Sequence, residues 1–269
     1  MAHYVHGYSA QEAARLKDQA TTLAALLYGD LRYPIGATVL EAGCGTGCQT
    51  VFLAAGNPET HFVSMDISPS SLATAQKAVR THGLTNVRLQ QGNIFDLPIA
   101  DQSIDHIFVC FVLEHLKDPT GALRCLYRVL KKGGTITVIE GDHGSFYCHP
   151  ETAEARRTVD CLVQIQALLG GDALIGRRLY PLLVEAGFAQ PRVEPRLVYV
   201  DGSRPDLIEG FSRNTFIAMV RGVRDQALAH GLIDVQTWDQ GIRDLERATE
   251  ATGTFCYTFF RGVAEKGSR

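Results

Sequence analysis

Val39-Leu40-Glu41-Ala42-Gly43-Cys44-Gly45-Thr46-Gly47 is the stretch on which the reading of this chain turns. An apolar strand runs straight into a glycine-rich turn, and a helical segment follows. Glycines let the backbone turn sharply there and let a ligand come close to main-chain atoms. Two common uses of such a turn fit poorly. A dinucleotide loop wants GxGxxG or GxGxxA, but the sixth residue is Cys48 counted from Gly43 and Thr50 counted from Gly45. A phosphate-cradling P-loop wants Gly-Lys-Ser/Thr next, and none follows.

Outward from the loop, short apolar strands alternate with longer helical segments. Strands are expected near 37–42, 61–66, 86–92, 104–111 and 134–141, with helices near 46–56, 69–83 and 119–131. This alternation predicts an α/β fold, a parallel sheet with helices on both faces. Ligands then bind beyond the carboxyl ends of the strands. After Pro150 helices are expected near 151–169 and 176–186, a strand near 191–200, mostly helix over 205–250, and an aromatic-rich strand near 254–264. A further helix is expected over 9–29, with Ser9 as its cap and Glu12 three residues on.

The composition narrows the function classes. The chain has 269 residues, 45% hydrophobic and 20% charged, enough to bury a sizeable core. Its net charge of −3 provides no overall basic field for nucleic acid or an anionic membrane, so neither is expected as a partner. The opening MAHYVHGYSAQEAARLKDQ has no apolar core behind a basic start, and the run Ile107 to Leu113 is too short to span a bilayer. Seven scattered cysteines, none in a CxxC pair, read as reduced thiols. A cytoplasmic location is the expectation.

Glu41-Ala42-Gly43-Cys44-Gly45-Thr46-Gly47 resembles motif I of the class I S-adenosylmethionine (SAM)-dependent methyltransferases, with its acidic-x-Gly-x-Gly-x-Gly pattern. The likeness extends over residues 37–141 and is closest to small-molecule enzymes of the ubiquinone-biosynthesis type. Asp66, at the end of the second strand, matches the residue that holds the ribose hydroxyls, with Ile67 beside it. Gly92-Asn93-Ile94 matches the segment that holds adenine, with Asn93 where the family usually has Asp. Cys110-Phe111-Val112-Leu113-Glu114-His115-Leu116 is similar to the run after strand four, and Leu130-Lys131-Lys132-Gly133-Gly134-Thr135 to the turn into strand five.

The resemblance implies a Rossmann-like doubly wound, mostly parallel sheet of seven strands in the order 3-2-1-4-5-7-6, with helical lid additions. It implies SAM as cofactor and S-adenosylhomocysteine (SAH) as its product. The cofactor set is then Tyr8, Glu41, Gly43, Gly45, Gly47, Asp66, Ile67, Asn93, Ile94, Cys110, Phe111 and His115. One domain over 1–269 is expected: a lid helix in 1–30, a cofactor-binding core in 37–145, acceptor-side helices with strand six in 150–250, and the last strand in 253–265.

Methyl transfer is an in-line displacement, so the enzyme's main task is to place the acceptor atom; a hydroxyl, ammonium or acidic carbon must also lose a proton. Ile139-Glu140-Gly141-Asp142-His143 through His149 crowds ionisable groups at the end of a core strand. Asp142 and His143 are the candidates for acceptor binding or proton removal; the alternative is a turn cap and a solvated histidine. Phe111, Tyr147, Tyr199 and Asn214 are the candidate acceptor contacts, and Arg177, Arg178 and Arg196 could meet an anionic group. No metal is expected. The partner is a small-molecule acceptor, and a homodimer is possible. The expected function is methyl transfer to O, N or C of that acceptor. The alternatives are a SAM-binding sensor or partner protein, and a methyltransferase acting on protein or RNA.

Overall fold

The computed structural model describes residues 22–267. Seven strands form one sheet: β1 (Thr38–Ala42), β2 (His61–Asp66), β3 (Val87–Gln91), β4 (Ile104–Cys110), β5 (Leu130–His149), β6 (Ala189–Val200) and β7 (Thr254–Glu265). Their order is β3-β2-β1-β4-β5-β7-β6, as the resemblance implied. The first five pair in parallel, and β7 runs antiparallel between β5 and β6.

The helices begin where the chain offers caps. Helix α1 (Cys48–Gly56) starts on Gly47, whose φ of 83° is a left-handed value that suits glycine. Helix α2 (Pro69–Thr81) has proline at its first position, and the Ser68 side chain accepts from Ser71 N. Asp118 caps α3 (Pro119–Val129), Thr152 caps α4 (Ala153–Leu168), and α5 (Leu179–Glu185) follows a short 3-10 turn. Asp234 caps α6 (Val235–Arg247), which packs on α4 with Gly241 set against Thr158.

Core forms on both faces of the sheet. Ile107 and Val109 of β4 pack into one layer with Leu126 and Leu179, while Phe108 and Cys110 enter the other with Leu27, Phe216 and Trp238. A strand covered on both faces reads as a continuous apolar run rather than an alternating one, which is how 107–113 reads. Of the helix expected over 9–29, residues 22–27 are helical, with Leu23, Leu27 and Tyr28 buried. The rest of it, and Tyr8, lie outside the described residues.

Two elements differ from expectation. Strand β5 is 20 residues long, not the eight of 134–141. It continues past a register shift after Asp142 because Cys256, Phe255 and Thr254 of β7 pair with Tyr147, Cys148 and His149. Residues 142–149, expected as a loop, are therefore strand. Second, the helical stretch after 205 contains a π-helix, Ile208–Ile217. Residues five apart stand about 140° round an α-helix, but i→i+5 winding brings them to one face. Phe211 and Phe216 accordingly both meet Phe255, at 5.7 and 4.9 Å between ring centroids, and both meet Tyr257 at 5.7 Å.

Candidate functional site

The glycine loop leaves β1 with three left-handed residues: Gly43 at φ 83°, Gly45 at 52° and Gly47 at 83°. Gly43 N and Cys44 N donate to Met65 O at 2.8 and 2.9 Å, tying the loop to the end of β2. A β-carbon on Gly43 would run into Val112, and one on Gly47 would lie 2.8 Å from that of Ala75. Among the described residues nothing lies within 4 Å of that position at Gly45, so the loop backbone opens away from them there.

Asp66 stands beside this opening. Its Oδ2 accepts from Gly45 N and its Oδ1 from Ser68 N, both at 2.8 Å. An ionised carboxylate has about four acceptor positions, so each oxygen keeps one for a ligand hydroxyl. Ile67 next to it is 56% exposed. On the neighbouring strand end Asn93 is exposed and Ile94 half-buried, and Asn93 Oδ1 accepts from Phe95 N. An open glycine backbone, an anchored carboxylate and uncovered apolar side chains together fit a nucleoside carrying an amino-acid tail.

Glu41 sits below the loop rather than in it. It is fully buried, and its Oε2 accepts from Thr50 Oγ1 and Ser64 Oγ, both at 2.6 Å. Burial pushes its carboxyl up to about 7, against the pull of those two hydroxyls. Glu41 thus braces α1 and β2 against β1.

Beyond β4 the chain makes a strained turn. Phe111 has φ 58°, uncommon for a bulky residue. Its N donates to Ile139 O at 2.9 Å, and the next two amides, Val112 N and Leu113 N, donate to Glu140 Oε1 at 3.0 and 2.7 Å. This buried carboxylate holds the turn that carries Cys110, Phe111 and His115. Burial, and then the charge of Glu114, raise the Glu140 carboxyl well above the usual range. Glu114 Oε2 accepts from Gln166 Nε2 at 3.1 Å, and its Oε1 lies 3.5 Å from His115 Nε2.

The two proposed acceptor residues have different surroundings. Asp142 is 2% exposed and takes both arms of Arg177, Nε to Oδ2 at 2.6 Å and Nη2 to Oδ1 at 2.8 Å. With Gly144 N also donating to Oδ1 at 3.0 Å, three of its roughly four acceptor positions are filled and the carboxylate is held in place. His143 points instead into an aromatic cluster. Its Nδ1 is 2.6 Å from the buried Tyr257 hydroxyl, and its ring lies 6.2 Å from that of Phe216. The Tyr257 hydroxyl fits because residue 141 opposite it is glycine, where a β-carbon would strike it.

Phe111 joins this cluster, 5.4 Å from Phe259, and Asn214 is half-buried on the π-helix. Tyr147 and Tyr199 do not join it. Both pair across Cys256, so they share the sheet face opposite Phe255 and Tyr257, at 50% and 42% exposure. The strand continues through Tyr147, and alternation turns its side chain, like that of Tyr199 on β6, away from the cluster. Among the described residues no group of three or more side chains is placed to hold a metal ion, and no helix is long and apolar enough to cross a membrane. The residues that sequence reasoning missed are Glu114, Glu140 and Tyr257. An acidic residue directly after the apolar run Val138-Ile139 of a core strand was the available signal for Glu140. Nothing local marks Tyr257.

A family model described as a methyltransferase domain matches residues 35–187, more than half of the chain. An uncharacterized 37.1 kDa protein from transposon TN4556 of Streptomyces fradiae is 34% identical over 78% of this chain. A demethylmenaquinone methyltransferase of Listeria welshimeri is 35% identical over 41% of it. The chain spans 62% and 47% of the lengths of these two relatives. Among solved structures, phosphoethanolamine N-methyltransferase 2 of Haemonchus contortus, in complex with phosphomonomethylethanolamine and SAH, superposes with a TM-score of 0.58 at 17% identity. That match covers 92% of this chain and 53% of the other, and it shows a shared fold. With the sheet order, the glycine loop and the family match in agreement, the chain belongs to the class I SAM-dependent methyltransferases.

Proposed function

We propose that this chain moves a methyl group from SAM to an oxygen, nitrogen or carbon atom of a small molecule. The observation that carries the reading is the outward-opening backbone at Gly45 beside the anchored carboxylate of Asp66. The loop 43–47 would hold the methionine part, Asp66 the ribose, and Ile67, Asn93 and Ile94 the adenine. Cys110, Phe111 and His115 would stand near the sulfur. SAM supplies an electrophilic methyl on a positively charged sulfur and leaves as a neutral thioether.

The chain's own contribution is placement and exclusion of water. The Phe111 turn, pinned by Glu140, sets one wall of the acceptor space; His143 and the π-helix ring cluster set another. Asp142 and Arg177 would fix the backbone at the register shift of β5, and His143 would handle a proton. Charge favours a metabolite over nucleic acid, since the net charge is −3. We infer that residues 150–250 roof this space as part of one domain with 37–145.

The test has two arms. Isothermal titration should show uptake of SAM and SAH. Incubation with SAM over a panel of metabolites should release SAH with at least one of them. Uptake without SAH release from any metabolite, protein or RNA would mark a SAM-binding protein instead, and failure of uptake would remove the reading altogether.

A further inference from the structure

Two neighbouring strand ends bring Asn93 beside the carboxylate of Asp66. Asp66 pairs with Gln91 in the parallel register of β2 and β3. The next residue, Gly92, donates its N–H to Asp66 O at 3.0 Å. A β-carbon at residue 92 would lie 2.5 Å from Met65 Sδ, so with glycine there the chain leaves β3 hard against the end of β2. Gln91 Nε2 adds a bond to Ile67 O at 3.4 Å. Asn93 follows directly and is exposed.

The chain then bends back on itself. Asp96 N donates to Asn93 O at 2.9 Å, and Phe95 N donates to Asn93 Oδ1 at 3.0 Å. The second bond settles the orientation of the amide. Phe95 N–H is a donor, and of the two terminal atoms of an asparagine only the oxygen accepts. Oδ1 is therefore the atom turned into the bend, and Nδ2, with its two N–H groups, is the atom beside it that the bend leaves over. An aspartate in the same bend would leave over a second oxygen. Asn93 thus differs from the residue usual in the family by one group: a donor stands where an acceptor would. Adenine carries one donor on its edge, the 6-amino group, and acceptors at its ring nitrogens. An N–H from residue 93 matches the ring nitrogens and opposes the amine.

We propose that Asn93 sets the base specificity of the cofactor site by donating from Nδ2 to a ring nitrogen, leaving the 6-amino group unrecognised. This rests on the methyl-transfer reading, in which Asp66 holds the ribose and residues 93 and 94 the base. The site then accepts a purine cofactor that lacks the amine as readily as one that has it.

The full chain is titrated with SAH and with the SAH analogue that carries hydrogen in place of the 6-amino group. Wild type should bind the two within threefold of each other. Asn93→Asp keeps one oxygen for Phe95 N and offers the other to the amine, so it should prefer SAH by about tenfold or more. A wild-type preference for SAH beyond threefold would show the amine meeting an acceptor, whether Oδ1 by its second lone pair or the Asp96 carboxylate, and overturns this inference alone. Equal binding of the two ligands by the folded Asp variant overturns the role of Asn93. Where that variant does not fold, Asn93→Ala decides: it should weaken both ligands alike, by about fivefold for one lost hydrogen bond, and unchanged affinities overturn the inference. Failure of wild type to take up either ligand overturns the methyl-transfer reading and this inference with it.

Discussion

The two ends of the sheet hold their polar groups over very different distances along the chain. On the β1–β2 side, Glu41 accepts from Thr50 and Ser64, 9 and 23 residues away, and Asp66 accepts from Gly45, 21 away. On the β5–β7 side, Asp142 accepts from Arg177, 35 away, Gln166 reaches Glu114 across 52, and His143 meets Tyr257 across 114. The first set is assembled within one strand–helix–strand unit. In the second set the His143–Tyr257 contact exists only once β7 has inserted between β5 and β6. A site built from local units keeps its geometry when the far end of the sheet is disturbed, and the reverse does not follow.

The sharpest way to break this comparison is Asp66→Ala. Two hydrogen bonds from ribose hydroxyls to a charged group would be lost, at about 1.5–3 kcal/mol each. SAM affinity should fall by at least about a hundredfold, measured by titration of the folded variant, and the thermal midpoint should drop as well because Gly45 N and Ser68 N lose their acceptor. Affinity within threefold of wild type would remove the carboxylate from the cofactor site.

Phe216→Ala probes the other end. Phe216 is fully buried and meets Phe146, Phe255, Tyr257 and His143. Truncating such a ring costs about 3–5 kcal/mol, read as a drop in urea midpoint. SAM affinity of the folded fraction should stay near wild type while turnover falls. Equal losses in both would show that the two ends are not separable.

These distances also explain what could be read from the chain. The loop 43–47, Asp66 and the alternation of strands and helices were legible because turn chemistry and periodicity are local, whereas the strand order came only from the family resemblance. The aromatic character of Phe255, Tyr257 and Phe259 was visible as a strand, yet no local feature says which neighbour that strand takes. The expected loop after Gly141 and the misplaced Tyr147 both follow from that one gap, since pairing with β7 decides where β5 ends. The π-helix was hidden for a related reason. Its winding is set by packing of Phe211 and Phe216 on β7, and the periodicity of residues 205–217 alone does not show it.

Glu41→Gln tests the near end by pH. Burial raises the Glu41 carboxyl from 4.5 to about 7 in the folded chain. The folded state therefore holds a proton that the unfolded state releases between those values. The stability linked to this proton is present below pH 4.5 and is lost as pH rises to 7, at about 1.4 kcal/mol per unit and about 3 kcal/mol in all. Glutamine keeps an oxygen for Thr50 and Ser64 and has no proton to lose. Urea midpoints of the variant should fall less steeply across pH 4.5–7 than those of wild type. Parallel curves would place the ionised form of Glu41 comfortably in the fold.

The smallest effect should come from Tyr257→Phe, which removes one hydroxyl and leaves the ring cluster intact. The loss of the 2.6 Å contact to His143 should cost about 1–2 kcal/mol of stability. If His143 handles a proton at the acceptor, its orientation depends on that hydroxyl. Turnover should then fall by roughly tenfold or more, while SAM affinity, set some 190 residues away along the chain at Asp66, stays unchanged (257 − 66 = 191). Steady-state rates across pH separate the roles. A shifted pH profile with normal SAM binding assigns His143 to the chemistry, whereas an unchanged rate leaves the His143–Tyr257 pair as a clasp between β5 and β7.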